Sequence, residues 1–128
     1  MPFPAVFDGT GSSPALIDSR LLINRDQEHG KSSLLALDSA TGKTLWETPR
    51  PGFFSSYATP ILWRRGPTSD VVLSGSYRVV GYDLNTGHER WSARGTEALS
   101  VCATPVVDAD YLYFMSYSFG GGKVQTYR

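Results

Sequence analysis

The sequence predicts an all-β chain of repeated four-stranded antiparallel units, on three observations. Asp38, Thr41, Gly42 and Trp46 recur 45 residues later as Asp83, Thr86, Gly87 and Trp91. Ala58-Thr59-Pro60 recurs in the same register as Ala103-Thr104-Pro105. Between these landmarks lie short apolar runs broken by turn residues, with 13 glycines and 8 prolines and no stretch of helical apolar spacing. A fixed period of this size makes each repeat one supersecondary unit. Four antiparallel strands at a period near 45 make that unit a blade of a β-propeller.

The strands of each blade are lettered A to D. Residues 1–12 read as a lead-in with two prolines. Blade 1, residues 13–48, opens at Ser13-Pro14-Ala15-Leu16-Ile17, turns at Asp18-Ser19 and continues as Leu21 to Asn24. A polar loop from Arg25 to Ser32 leads to strand C, Leu34 to Leu37, and strand D runs from Thr44 to Glu47. The turn Asp38-Ser39-Ala40-Thr41-Gly42 joins C to D, because Asp and Ser bond nearby backbone amides and glycine takes positive φ without a Cβ clash. Blade 2, residues 49–93, places its strands at Tyr57–Leu62, Val71–Leu73, Val79–Tyr82 and Glu89–Ser92, with residues 63–69 read as an insertion between A and B. Blade 3, residues 94–128, is truncated, with strands at Val101–Val107, Tyr111–Met115 and Lys123–Tyr127. Two full blades and most of a third form an incomplete ring, expected to be completed by further blades of a longer chain or by self-association.

The 12 basic and 12 acidic residues balance, and the longest basic run is Arg64-Arg65, so nucleic-acid binding is disfavoured. No apolar stretch approaches the ~20 residues of a membrane span. The N-terminus lacks the charged and apolar regions of a signal peptide. Cys102 is the single cysteine and is expected to be buried on an inner strand.

At the repeated turn the chain resembles the quinoprotein-type (PQQ-like) β-propeller repeat family. Its Ala-x-Asp-x-x-x-Gly-Lys-x-x-Trp segment is met in full by Ala36, Asp38, Gly42, Lys43 and Trp46. The second copy keeps Asp83, Gly87 and Trp91 but has Gly81 for alanine and His88 for lysine. The resemblance implies that Trp46 and Trp91 dock between neighbouring blades, and a buried indole also needs a partner for its N–H. The family contains quinone-dependent dehydrogenases and non-catalytic BamB-like propellers, and many members are extracytoplasmic bacterial proteins. The dehydrogenases that oxidise alcohols use adjacent cysteines, calcium-binding carboxylate and amide groups, and a tryptophan beneath the quinone. No adjacent cysteines and no such ligand set are recognisable here, and the repeat motif itself transfers a fold rather than a chemistry.

Strand parity puts the D–A and B–C loops on one rim and the A–B and C–D turns on the other. On the first rim, Arg25, Asp26, Glu28 and His29 offer groups for a metal or for acid–base work, against the simpler reading of a solvated loop. Phe53, Phe54 and Tyr57 offer aromatic anchors for a partner, against the reading that a phenylalanine caps the core. Tyr77, Arg94, Tyr117 and Phe119 fall in equivalent loops. Gly120-Gly121-Gly122-Lys123 lacks the spacing of a phosphate loop and reads as a B–C hairpin loop. Trp63 with Arg64 and Arg65 reads as an interaction point on the other rim or as a surface insertion. The expected function is a non-catalytic scaffold or protein-interaction surface, without cofactor. The alternative is a fragment of a PQQ- and calcium-dependent dehydrogenase whose ligands lie outside these residues.

Overall fold

The computed structural model describes residues 11–118 and 121–127, without the side chains of 116–118 and 121–125. The described residues form three antiparallel sheets and no helix. In blade 1, β1 (Ala15–Ile17), β2 (Arg20–Asn24), β3 (Ser33–Asp38) and β4 (Thr44–Pro49) pair in chain order. Blade 2 repeats the order with β5 (Ile61–Arg65), β6 (Thr68–Gly75), β7 (Arg78–Asp83) and β8 (Glu89–Arg94). The third sheet holds β9 (Val106–Val107), β10 (Leu112–Ser118) and β11 (Gly121–Tyr127).

The repeated turn forms the same way twice. Oδ1 of Asp38 accepts from the amides of Ala40 and Thr41 at 3.2 and 2.8 Å and from the Thr41 hydroxyl at 2.7 Å. Oδ1 of Asp83 accepts from Asn85 N, Thr86 N and Thr86 Oγ1 at 2.8, 2.8 and 3.0 Å. Gly42 and Gly87 close the loops at φ 70° and 74°, a conformation that a Cβ disfavours. Lys43 and His88 contribute backbone groups to the turn, each amide donating to the preceding threonine hydroxyl at 3.3 Å and each carbonyl accepting the Asp38 or Asp83 amide at 2.8 Å, so the exchange of lysine for histidine leaves the turn unchanged.

The blades stack face to face, and the core lies in their two junctions. Leu22, Leu34, Ala36 and Trp46 of blade 1 pack against Val71, Leu73, Val80, Tyr82 and Leu84 of blade 2. On its other face blade 2 buries Trp63, Val72 and Val79 against Leu112 and Phe114. With both faces covered, its central strands carry uninterrupted apolar runs rather than alternation. Residues one period apart meet across the second junction. Ser55 Oγ lies 2.8 Å from Ser100 Oγ, the Thr59 amide donates to Thr104 Oγ1 at 3.0 Å, and Trp63 Nε1 donates to the Asp108 carbonyl at 2.9 Å. The sequence period is therefore the translation that carries one blade onto its neighbour.

Trp46 is buried, and its Nε1 donates to the Leu84 carbonyl of blade 2 at 3.1 Å. The ring lies against Gly87, where a Cβ would stand 2.5 Å from Cε3. At Gly42, the equivalent glycine of blade 1, a Cβ would meet nothing within 4 Å. Trp91 behaves differently because Gly81 replaces alanine beneath it. A Cβ at Gly81 would stand 2.1 Å from the indole, so only glycine lets the ring lie flat on its own sheet. There Trp91 donates to Asp70 Oδ2 at 2.9 Å, stacks on Tyr127 at 5.4 Å between centroids, and meets Trp63 edge-on. It thus reaches the third sheet through Tyr127 rather than through a backbone carbonyl.

Four expectations are corrected. The supposed insertion at 63–69 is a hairpin: β5 and β6 pair Trp63 with Asp70 and Arg65 with Thr68 around a tight Gly66-Pro67 turn. Trp63 faces the core at 1% exposure, because period-two alternation along β5 turns it inward while Arg64 turns out. Cys102 is exposed, since regular pairing in the first strand of blade 3 begins only at Val106. Gly121 and Gly122 belong to β11, paired with Ser118 and Tyr117, so the expected loop is shorter. Phe119, Gly120 and residues 1–10 of the lead-in lie outside the described residues.

Candidate functional site: the rim between blades 1 and 2

The rim formed by the B–C and D–A loops is fixed by buried polar groups. Asn24, the last residue of β2, donates through Nδ2 to the carbonyls of Ser56 and Ala58 at 3.0 and 3.1 Å. Its Oδ1 accepts the Asp26 amide at 3.0 Å, which turns the Asp26 side chain inward. There Asp26 receives two hydrogen bonds from Arg50, at 2.8 and 2.9 Å, with both side chains fully enclosed. Arg50 also donates to the Tyr82 hydroxyl and stacks on the Phe53 ring, 3.8 Å from its centroid. Ser32 closes the arrangement by donating to the Phe53 carbonyl at 2.8 Å.

A bidentate guanidinium–carboxylate pair satisfies two charges that would be costly alone in this interior. Burial pushes the Asp26 carboxyl above the usual carboxylate range, against the pull of the Arg50 charge and hydrogen bonds. Burial pulls Arg50 down, but Asp26 and Tyr82 outweigh it, so the guanidinium is held charged. Burial likewise raises the Tyr82 hydroxyl against the Arg50 charge, which keeps it a neutral acceptor. The cluster is a structural tie between B–C loop, D–A loop and β7.

The expected site residues separate into two groups. Asp26 and Phe53 are interior, the first because Arg50 requires a counter-ion and the second because its ring carries that guanidinium. They hold the rim, Asp26 fully enclosed and Phe53 showing only a small part of itself in the wall of a rim cleft. Arg25 pairs with Glu47 at 2.7 Å, and Glu28 and Phe54 are half-buried. His29 is exposed, and half-buried Tyr57 donates its amide to the Val101 carbonyl at 2.8 Å. Among the described residues, no three His, Cys, Asp or Glu side chains converge as a metal cage. Sequence reasoning missed Arg50, Lys31 and Arg78. Nothing in the sequence pairs Arg50 with Asp26 across 24 residues; its place between Pro49 and Pro51 was the available signal.

Three clefts lie side by side on this rim. One, of ≈ 450 Å³, is lined by Arg25, Gln27, Lys31, Glu47 and Pro49 among others. The next, of ≈ 370 Å³, shares Lys31, Ser32 and Pro49 with it and extends to Pro51 and Gly52. The last, of ≈ 380 Å³, shares Pro51 and Gly52 and is completed by Ser76, Tyr77, Arg78 and Arg94. Together they make a stepped groove from blade 1 to blade 2.

The sequence profile of the family described as "Outer membrane protein assembly factor BamB" matches residues 5–126. The chain belongs to this family of PQQ-like β-propeller repeats. Two solved structures show the same architecture. BamB from Moraxella catarrhalis superposes with a TM-score of 0.57 at 20% identity, covering 78% of this chain and 32% of that one. A europium-containing methanol dehydrogenase superposes with a TM-score of 0.50 at 25% identity, covering 66% of this chain and 15% of that one. The chain thus spans about a third or less of the propeller proteins it resembles. No curated protein matches its sequence. The shared feature of this PQQ-like family is the blade, and the chain carries its Asp–Gly–Trp turn twice.

Proposed function

We propose that this chain is a non-catalytic propeller segment whose B–C/D–A rim is a protein-interaction surface, in an extracytoplasmic bacterial protein. The single observation that carries this reading is the rim itself. Its ionisable interior groups are spent on each other in the Asp26–Arg50–Tyr82 tie, while the loops they hold display a groove to solvent. A fixed surface of this kind suits recognition, because little ordering is left to be done on binding. Membership of a family described by an outer-membrane assembly factor supports both the role and the compartment.

The test is site-specific photo-crosslinking in the full-length protein within its own cells. A crosslinker at Lys31 or Tyr77 on this rim is expected to trap one discrete partner, and one at Lys43 on the opposite rim is not. Equal trapping from both rims, or none from Lys31 and Tyr77, refutes the reading.

The methanol dehydrogenase likeness favours a second reading, a segment of a quinone-dependent dehydrogenase. Among the described residues no three His, Cys, Asp or Glu side chains converge to hold calcium, so under that reading the calcium and PQQ ligands lie outside the described residues. Retention of PQQ by the purified full-length protein supports this second reading; failure to bind added PQQ and calcium rejects it.

A further inference from the structure

The groove carries charge that the fold does not use. Arg78 and Arg94 stand directly opposite each other on β7 and β8, and like charges so placed repel. Arg78 stacks on the Phe53 ring at 4.5 Å; neither arginine pairs with a carboxylate among the described residues. Lys31, which lines the two neighbouring clefts, has no carboxylate partner among them either. The chain as a whole is charge-balanced, with 12 basic and 12 acidic residues, so three unpaired cations along one groove are a local arrangement.

Tyr77 is the second, independent observation. It occupies the two-residue turn between β6 and β7 at φ 62°, where glycine is the unstrained choice. The strain is held in place from both sides, since the Tyr77 amide donates to the Ala98 carbonyl and its carbonyl accepts the Gly95 amide. Yet Tyr77 is 55% exposed, beside Arg78 and Arg94 at the end of the groove. A strained backbone that presents an aromatic ring to solvent, rather than burying it, points to use of that ring.

We propose that the groove binds an acidic peptide segment of a protein partner. This rests on the interaction-surface reading above and names the partner's chemistry. Carboxylates of the segment are taken by Arg78 and Arg94, whose planar guanidinium groups match them in two-pronged fashion. The segment crosses Tyr77 and follows the shared walls at Pro51 and Gly52 toward Lys31. Three connected clefts suit an extended chain better than a compact anion, which needs one.

Fluorescence anisotropy on the full chain tests this, with a short labelled Glu-Ser repeat peptide and its Gln-Ser counterpart as probes. The acidic peptide is expected to bind about tenfold or more tightly than the neutral one, and less tightly as salt is raised. Arg94→Glu turns a repulsive cross-strand pair into an attractive one. It should therefore weaken acidic-peptide binding by about tenfold or more while keeping or raising the thermal midpoint. Tyr77→Gly relieves the left-handed strain and should weaken binding about threefold without lowering the midpoint. Equal affinity for both peptides, or no effect of Arg94→Glu, overturns the acidic-partner inference. If Tyr77→Gly still weakens the neutral peptide, the interaction rim itself survives. Failure of both peptides, with no rim-specific crosslink in cells, ends both readings. Tighter binding of an oligodeoxythymidylate of equal charge also overturns the proposal, in favour of a nucleic acid.

Discussion

Gly42→Ala and Gly87→Ala place the same residue in the same turn, and only one of them meets a docked tryptophan. Both glycines have φ near 70°, so alanine at either costs about 1–2 kcal/mol in backbone strain. At Gly42 the added methyl enters open space. At Gly87 it would stand 2.5 Å from Trp46 Cε3, 2.6 Å from Thr48 Oγ1 and 2.7 Å from Trp46 Cδ2. The indole must move, which strains the bond from Nε1 to the Leu84 carbonyl and adds about 1–3 kcal/mol of overpacking. Gly87→Ala is therefore expected to cost about 2–5 kcal/mol and Gly42→Ala about 1–2 kcal/mol. Urea unfolding with a common m-value measures both, and Trp46→Ala serves as the control background at its own cost of about 3–5 kcal/mol. In that background the Gly87→Ala penalty should fall toward the Gly42→Ala value. Equal penalties in the unmodified chain would refute the docking argument, because turn strain alone would then account for both.

Asp26→Ala leaves Arg50 charged and without a counter-ion in the interior and should cost about 3–5 kcal/mol in the same assay, whereas Asp26→Leu with Arg50→Met should recover most of it. A double variant as unstable as the single one would show that packing, and not the lone charge, sets the loss. Phe53→Ala should destabilise by about 3–5 kcal/mol, as a buried ring does, and so cannot serve as a clean binding variant. For pH dependence, the Arg90 hydrogen bond and the Asx-turn amides lower Asp83 to about 2, and the Thr41 hydroxyl and amide bonds lower Asp38. A lowered carboxylate lends stability that is complete above its unfolded value and lost as pH falls through the folded one. The thermal midpoint should therefore drop as pH is taken from about 5 to about 2, and Asp83→Asn should flatten part of that drop. An unchanged pH profile in Asp83→Asn would count against this assignment. Cys102 should react stoichiometrically with a thiol reagent in the folded protein, and protection until denaturant is added would contradict its exposed position.

The sequence by itself determined the blade. Asp38, Thr41 and Gly42 specify their turn through contacts within five residues, and the same local chemistry recurs at Asp83, Thr86 and Gly87, so no distant partner had to be known. The Asp18-Ser19 turn was readable for the same reason, both residues taking the positive φ of a two-residue hairpin. The period of 45 also carried tertiary information, because equivalent residues such as Thr59 and Thr104 touch across neighbouring blades.

Only the tertiary structure decided the site. Asp26 looked like part of a polar surface loop, and its inward turn depends on Asn24, Arg50 and Tyr82 from separate strands and loops. Arg78 and Arg94 are 16 residues apart in sequence, and the register of β7 against β8 alone makes them a facing pair. Trp63 and Cys102 were misplaced because burial follows the side to which each chain segment turns, which residue type alone does not set. Turn chemistry is written in near neighbours, whereas burial and electrostatic pairing are settled by which distant strands the packed blades bring together.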